Sequence, residues 1–304
     1  MKFAQIQIIG KWVAIPCNGS VALIDRRTGE LKKGRIILPG RQIFRIAALG
    51  SNSILIHAES ELIAYDFNSM RPLWKVEFKS GITSFHTSDK YVWVGTWEGG
   101  VAVLDSRNGS ILNRYLHKSK GVHVVDFGRR TLCVGLDGTV SAMFDTREIY
   151  RNRSREPYLA MFAEMSHLDQ LICGTSDGSI EALDINSGLR KWKVEAGAQV
   201  ISLSSSKDAI SVILADGRVA NLSAADGAVL WSLRFNGQPP ELVVSVQGAV
   251  VTAGDNKISL HRLGDGAILK EFQTAGRIAA MTNEDKMIII RLENGLINAF
   301  NINN

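Results

Sequence analysis

The sequence predicts an all-β fold: a single eight-bladed β-propeller of four-stranded antiparallel blades, the last blade lacking its outermost strand. Three observations predict it. One segment recurs eight times along 304 residues, the apolar residues inside each copy alternate with period 2, and 28 glycines against 6 prolines supply many tight turns. No stretch carries a helical period, and four-stranded units repeated radially close a sheet system without long free edges.

The repeat is read directly from the chain: 19-GSVALIDRRTG, 60-SELIAYDFNSM, 99-GGVAVLDSRNG, 138-GTVSAMFDTRE, 178-GSIEALDINSG, 217-GRVANLSAADG, 256-NKISLHRLGDG and 294-NGLINAFNINN. Anchored at Asp25, Asp66, Asp105, Asp145, Asp184, Ser223, Arg262 and Asn301, the copies step by 41, 39, 40, 39, 39, 39 and 39 residues. Within residues 170–192, QLICGT reads as a strand, SDG as a tight turn, SIEALD as a second strand, INSG as another turn and LRKWKV as a third strand. A preceding strand such as YLAMFAEM completes the blade. The expected blades are 1–40, 41–80, 81–120, 121–156, 157–197, 198–237, 238–275 and 276–304, one propeller over 1–304. The eighth holds three strands, so the backbone of 296-LINAFNI is an open edge to which a partner strand can add.

Composition bounds the rest. With 45% hydrophobic and 21% charged residues the chain reads as globular. No apolar run approaches the ~20 residues of a membrane span. Three cysteines, Cys17, Cys133 and Cys173, argue against a disulfide framework and for a reducing compartment. The start MKFAQIQIIGKWVAIPC places Cys17 where a lipidated cysteine stands in a lipoprotein leader. Gln5, Gln7, Lys11 and Trp12 interrupt its apolar stretch, and Pro16 occupies the place of a small residue. The expectation is a cytosolic protein.

The fullest copy, 177-DGSIEALDINSGLRKW, resembles the repeat of pyrroloquinoline-quinone-type propellers, itself similar to the WD repeat in length and strand order. Trp74, Trp192 and Trp231 stand eight residues after their anchors, where that family places a docking tryptophan. Lys33, Asn113, Arg153 and Lys270 occupy the same offset in other units. The resemblance implies fold and leaves chemistry open, because function lives in sites grafted on folds. The alcohol dehydrogenases of that family use an adjacent cysteine pair over their quinone. This chain has neither such a pair nor a C-x-x-C-H haem motif, so no cofactor is expected.

Catalytic motifs are absent: no G-x-x-x-x-G-K-[ST], G-x-S-x-G or H-E-x-x-H. Acids recur in the turn between second and third strands (Glu59, Glu98, Asp137, Asp177, Asp216, Asp255, Glu293), and four of the seven precede Gly. A cation or basic-partner ring is one reading, but Asp-Gly turn chemistry explains them better. Of the histidines, His57 reads as a satisfied core residue, while His117 and His123 read as solvent-exposed flanks of a loop carrying Lys118 and Lys120. Cys133 and Cys173 read as small core hydrophobes. Pro239 and Pro240 stiffen an inter-blade connection.

Charge is the most informative functional signal. Residues 1–155 hold 23 Lys and Arg against 13 Asp and Glu, a net of +10, and residues 156–304 hold 12 against 17, a net of −5. The candidate partner-binding residues are Arg26, Arg27, Lys32, Lys33 and Arg35 in the first blade, and Lys118, Lys120, Arg129, Arg130, Arg147, Arg151, Arg153 and Arg155 around the fourth. Arg151, Arg153 and Arg155 alternate, so an outer strand there points them to one side. The expected function is a non-catalytic protein-interaction scaffold, a subunit of a larger cytosolic assembly. It docks an acidic surface on blades 1–4 or accepts a strand at blade 8. The alternative is phosphate binding by the same basic surface in a nucleic-acid complex. A third reading is a propeller enzyme or small-ligand sensor using the central channel, whose walls (43-IFRIAAL, 83-TSFHTS) offer few convergent polar groups.

Overall fold

The computed structural model describes every residue except 1–5, 18, 26–27, 29–35, 40, 118, 129, 145–146, 155, 166–167, 236–237, 247, 285–286 and 303–304. Antiparallel sheets follow one another in chain order. They are β1 (Gln7–Ile9), β2 (Trp12–Cys17), β3 (Ser20–Asp25) and β4 (Ile36–Ile37); β5 (Ile43–Ala48), β6 (Ser53–Ala58), β7 (Glu61–Asp66) and β8 (Pro72–Glu77); and β9 (Ile82–Thr87), β10 (Tyr91–Thr96), β11 (Gly100–Asp105) and β12 (Ile111–Leu116). Then come β13 (Val122–Phe127), β14 (Arg130–Gly135), β15 (Thr139–Phe144) and β16 (Arg147–Arg153), followed by β17 (Tyr158–Met165), β18 (Gln170–Thr175), β19 (Ser179–Asp184) and β20 (Arg190–Glu195). The last sheets are β21 (Val200–Ser205), β22 (Ala209–Leu214), β23 (Arg218–Ser223) and β24 (Val229–Arg234); β25 (Leu242–Val246), β26 (Ala249–Gly254), β27 (Lys257–Arg262) and β28 (Ile268–Gln273); and β29 (Ile278–Glu284), β30 (Met287–Leu292) and β31 (Ile297–Asn301). These are the eight blades of a β-propeller, seven with four strands and the eighth with three, as the repeat predicts. Among the described residues no helix is long and apolar enough to cross a membrane.

The anchor acids earn their place locally. Asp66 Oδ1 accepts the N–H groups of Asn68 (3.1 Å) and Ser69 (2.7 Å), and Asp184 Oδ1 those of Asn186 (3.0 Å) and Ser187 (2.8 Å). Each carboxylate thereby caps the turn into the fourth strand. The turn closes with Gly109, Gly188, Gly227 or Gly266, all at φ between 70° and 75°, a left-handed conformation that glycine adopts without steric cost.

Two compact units divide the chain, residues 1–135 with 143–147 and residues 136–142 with 148–304. In the first, Leu55, Leu62, Trp74, Phe85, Val94 and Leu104 form a buried cluster on β6–β11, and Trp93, Val103, Val124, Cys133 and Met143 form another. In the second, Ile172, Ala182, Val212 and Leu222 pack together, as do Val251, Leu260, Ile288 and Ile290. The second strands are apolar without alternation because both their faces are covered. The fourth strands bury at most one residue in two; β8 buries only Trp74 fully.

Candidate functional site

Three fourth strands, β8, β20 and β24, meet the next sheet through a tryptophan. Trp74 Nε1 donates to the Ser106 carbonyl (3.1 Å), Trp192 to that of Ala224 (3.1 Å) and Trp231 to that of Leu263 (2.7 Å). Each indole lies on the turn glycine of the sheet it reaches; a Cβ on Gly109 would fall 2.6 Å from the Trp74 ring. The tryptophans therefore dock as the repeat implies.

The fixed offset fails in the fourth blade. β16 begins two residues after Asp145, whereas β8 and β12 begin six residues after Asp66 and Asp105. The shorter turn brings Tyr150 to the docking position: its hydroxyl donates to the Ile185 carbonyl (2.9 Å) and its ring covers Gly188. Arg153, placed in the tryptophan's role by counting, instead projects from the other face with its side chain 70% exposed.

That face carries the basic residues. Arg147, Arg151 and Arg153 are exposed on β16, with Tyr150 and Asn152 on the opposite side against the Ile185–Ser187 turn. Arg151 is paired with Glu148 (Nε to Oε1 3.2 Å), and Arg153 stands 3.8 Å from Asp137. Lys120 is exposed and Arg130 half-buried at the start of β14. Arg26, Arg27, Lys32, Lys33, Arg35, Lys118, Arg129 and Arg155 lie outside the described residues.

The turn acids behave as turn chemistry requires. Asp137, Asp177 and Asp216 each accept the N–H of the residue two further on (3.0, 2.9 and 3.1 Å), and Glu59 and Asp255 adopt left-handed φ values of 54° and 50°. Hydrogen bonds from Lys193, Thr175 and Ser179 outweigh desolvation and hold the Asp177 carboxyl well below its ordinary range. Among the described residues no group of three or more His, Cys, Asp and Glu is placed to hold a metal ion. Pro239 and Pro240 pack on Gly217 and Gly254, a structural role.

Two of the histidines correct the sequence reading. His117 is 2% exposed and His123 is half-buried, so neither is a solvent-exposed loop flank. His57 is buried and bonded through Nε2 to the Glu59 carbonyl (2.9 Å), as expected of a satisfied core residue. Burial, with a smaller contribution from the charge of Arg45, lowers the pKa values of His57, His86 and His123 to about 4. Backbone bonds oppose the shift at His57 and His86. Arg45 itself is exposed and lies 5.3 Å over the Phe85 ring, and desolvation by the surrounding protein lowers its pKa. The first and second strands thus bring together more polar groups than their sequences suggest. No spacing announces this, because Arg45, His57, His86 and His123 come from β5, β6, β9 and β13.

The third blade departs from its neighbours. Across the second blade one row reads Ala47, Leu55, Ala64, Trp74; across the third the same row reads His86, Trp93, Val103, Asn113. The large ring moves from the outermost strand to the second. Trp93 stacks between His86 (centroids 6.3 Å, 12°) and Tyr115 (6.5 Å, 14°). Beside it opens a cavity of about 440 Å³. Its floor is Trp93 and Met143, both buried, with His86, whose Nε2 is 2.9 Å from Thr131 Oγ1. Its rim is Asp89, Lys90 and Phe144, the last 46% exposed.

Sheets of this order, docked by an aromatic side chain on the following turn, define a propeller of pyrroloquinoline-quinone-like repeats. The family model described as outer membrane protein assembly factor BamB matches residues 97–259 and 215–304, more than half of the chain, and the chain belongs to that family. Solved structures share the fold at low identity. The computationally designed protein Ika8 is 17% identical, with a TM-score of 0.86 over 99% of this chain and 96% of its own. BamB from Moraxella catarrhalis is 18% identical, with a TM-score of 0.76 over 98% and 96%. Sqt1 from Saccharomyces cerevisiae is 11% identical, with a TM-score of 0.81 over 99% and 95%. No curated protein matches the chain significantly. The adjacent cysteine pair that the alcohol dehydrogenases with this repeat hold over their quinone has no counterpart here: Cys133 and Cys173 are buried in different sheets, and no two cysteines are adjacent.

Proposed function

We propose that this protein is a non-catalytic protein-interaction scaffold, a cytosolic subunit of a larger assembly that docks an acidic partner surface through blades 1–4. Family membership carries the reading, because the family's model is described as an assembly factor. The charge asymmetry supports the choice of surface: residues 1–155 are net +10, and Lys120, Arg147, Arg151 and Arg153 are exposed there. Like-signed surface charge raises association rates with an oppositely charged partner and excludes others, more than it adds affinity. Cys133 and Cys173, buried on β14 and β18 as small core residues rather than paired across the fold, support a reducing location. A strand added beside β31, the outer strand of the three-stranded eighth sheet, is a second docking mode.

Affinity purification of the full chain from its native source, with nuclease and at low and ~0.5 M salt, tests the proposal. Protein partners that survive both treatments are the expected result. Recovery of only nuclease-sensitive, salt-labile material would overturn it in favour of nucleic-acid binding. Arg147, Arg151 and Arg153 changed together to Glu should reduce partner recovery severalfold; unchanged recovery would remove blades 1–4 as the docking surface.

A further inference from the structure

We propose that the cavity beside Trp93 is a peptide-docking pocket, which takes one aromatic side chain of a partner's extended, acidic segment. This deepens the scaffold reading and rests on it. Four observations support a built site. The volume, about 440 Å³, falls within the ~300–1,000 Å³ of ligand clefts. The floor is apolar and rigid: Met143 is 2% exposed, and the Trp93 indole, 4% exposed, is held between two rings. His86 is 8% exposed, its Nε2 is engaged by Thr131, and its ring forms one wall of the cavity. The rim also exposes a large aromatic, Phe144, whose apolar area a ring entering the cavity would cover.

The shape of the lining selects the ligand. An aromatic anchor stacks or meets edge-on against Trp93 and Phe144 and contacts the Met143 thioether, interactions open to any ring. The rim turn supplies Asp89 for a peptide N–H and Lys90 for a carboxylate. The unit that holds the pocket carries 20 Lys and Arg against 11 Asp and Glu, so an acidic segment is attracted to it. Buried aromatic anchors in desolvated pockets are also where binding energy concentrates in protein interfaces.

The test is selection of a displayed library of random peptides on the full chain, followed by fluorescence anisotropy with the enriched peptides. The expected result is enrichment of aromatic residues flanked by Asp and Glu. Replacing the aromatic by Gly, or Phe144→Ala in the protein, should weaken binding at least about tenfold. Lys90→Glu should weaken it less and flatten its salt dependence. Phe144 and Lys90 are exposed, so both variants should fold as the parent does, checked by circular dichroism. Selected peptides that bind Phe144→Ala equally well, or a library that enriches no aromatic motif, would overturn the pocket. N-acetyltryptophanamide binding as tightly as the peptides would also overturn it, in favour of a small-ligand site. If native partners still co-purify while the peptides fail, the pocket falls and the scaffold stands; peptides that bind while no partner co-purifies give the reverse.

Discussion

The second and third blades share a repeat, yet the second meets its neighbour with an indole and the third leaves a cavity. In the second, Trp74 reaches from the outermost strand to the Ser106 carbonyl, and Leu55 and Ala64 fill the row behind it. In the third, Asn113 stands where the indole would, its amide turned to the Tyr115 hydroxyl (2.6 Å), and bulk returns one strand pair inward as Trp93. Volume in the row is conserved roughly, its position is not. A repeat tolerates such a shift because each blade packs only on its neighbours, and the relocated ring opens space at the boundary that a sealed blade lacks.

Breaking the sealed boundary should have the largest effect. Trp74→Ala removes the ring and its hydrogen bond, and should cost about 3–5 kcal/mol of unfolding free energy in urea titration. Trp93→Leu copies the second blade's residue into the third and should cost about 2–4 kcal/mol, since no outer indole fills the void. Adding Asn113→Trp to that variant should recover part of the loss, with a coupling of about 1 kcal/mol in a double-mutant cycle; strict additivity would show that the two positions do not share one packing row.

Acid separates the same two rows, because Ala47 stands where the third blade has His86. The His86 pKa is depressed from 6.5 to about 4, so the unfolded chain binds the proton more readily. Its stabilising share is complete above pH 6.5 and is lost as the pH falls toward 4, at about 1.4 kcal/mol per pH unit. Between pH 6.5 and 5, His86→Gln should therefore lose roughly 2 kcal/mol less than the parent does, read from urea midpoints at each pH. The smallest effect tests the fourth blade. Tyr150→Phe should cost about 1 kcal/mol by removing the hydroxyl's bond to Ile185, while Arg153→Ala should stay within about 0.5 kcal/mol. An equal cost at both would contradict the docking role given to Tyr150.

How far the sequence speaks follows from how local each feature is. Strand alternation, turn glycines and the anchor carboxylates act within a few residues, so eight blades and a three-stranded last sheet were legible in the spacing alone. The docking role of Trp74, Trp192 and Trp231 was legible too, because their turns are equal in length. Tyr150 was not, since the shortened turn before β16 moves the docking position and a fixed count lands on Arg153. The cavity was invisible for a different reason: His86, Trp93, Thr131 and Met143 come from four strands, and only pairing brings them together. Burial of His117 and His123 likewise depends on neighbours that a loop-like run of Lys and Gly does not reveal. The alternation of Arg151 and Arg153 was legible because side-chain direction in a strand has period 2.

The scaffold reading meets its most direct test in amide hydrogen exchange on the full chain, alone and as recovered with its native partners. The account predicts slowed exchange confined to segments of blades 1–4, including the Ser88–Tyr91 turn and the β16 strand, with the remaining blades unchanged. A chain that holds a co-purified protein yet shows no slowed segment in blades 1–4 would contradict it.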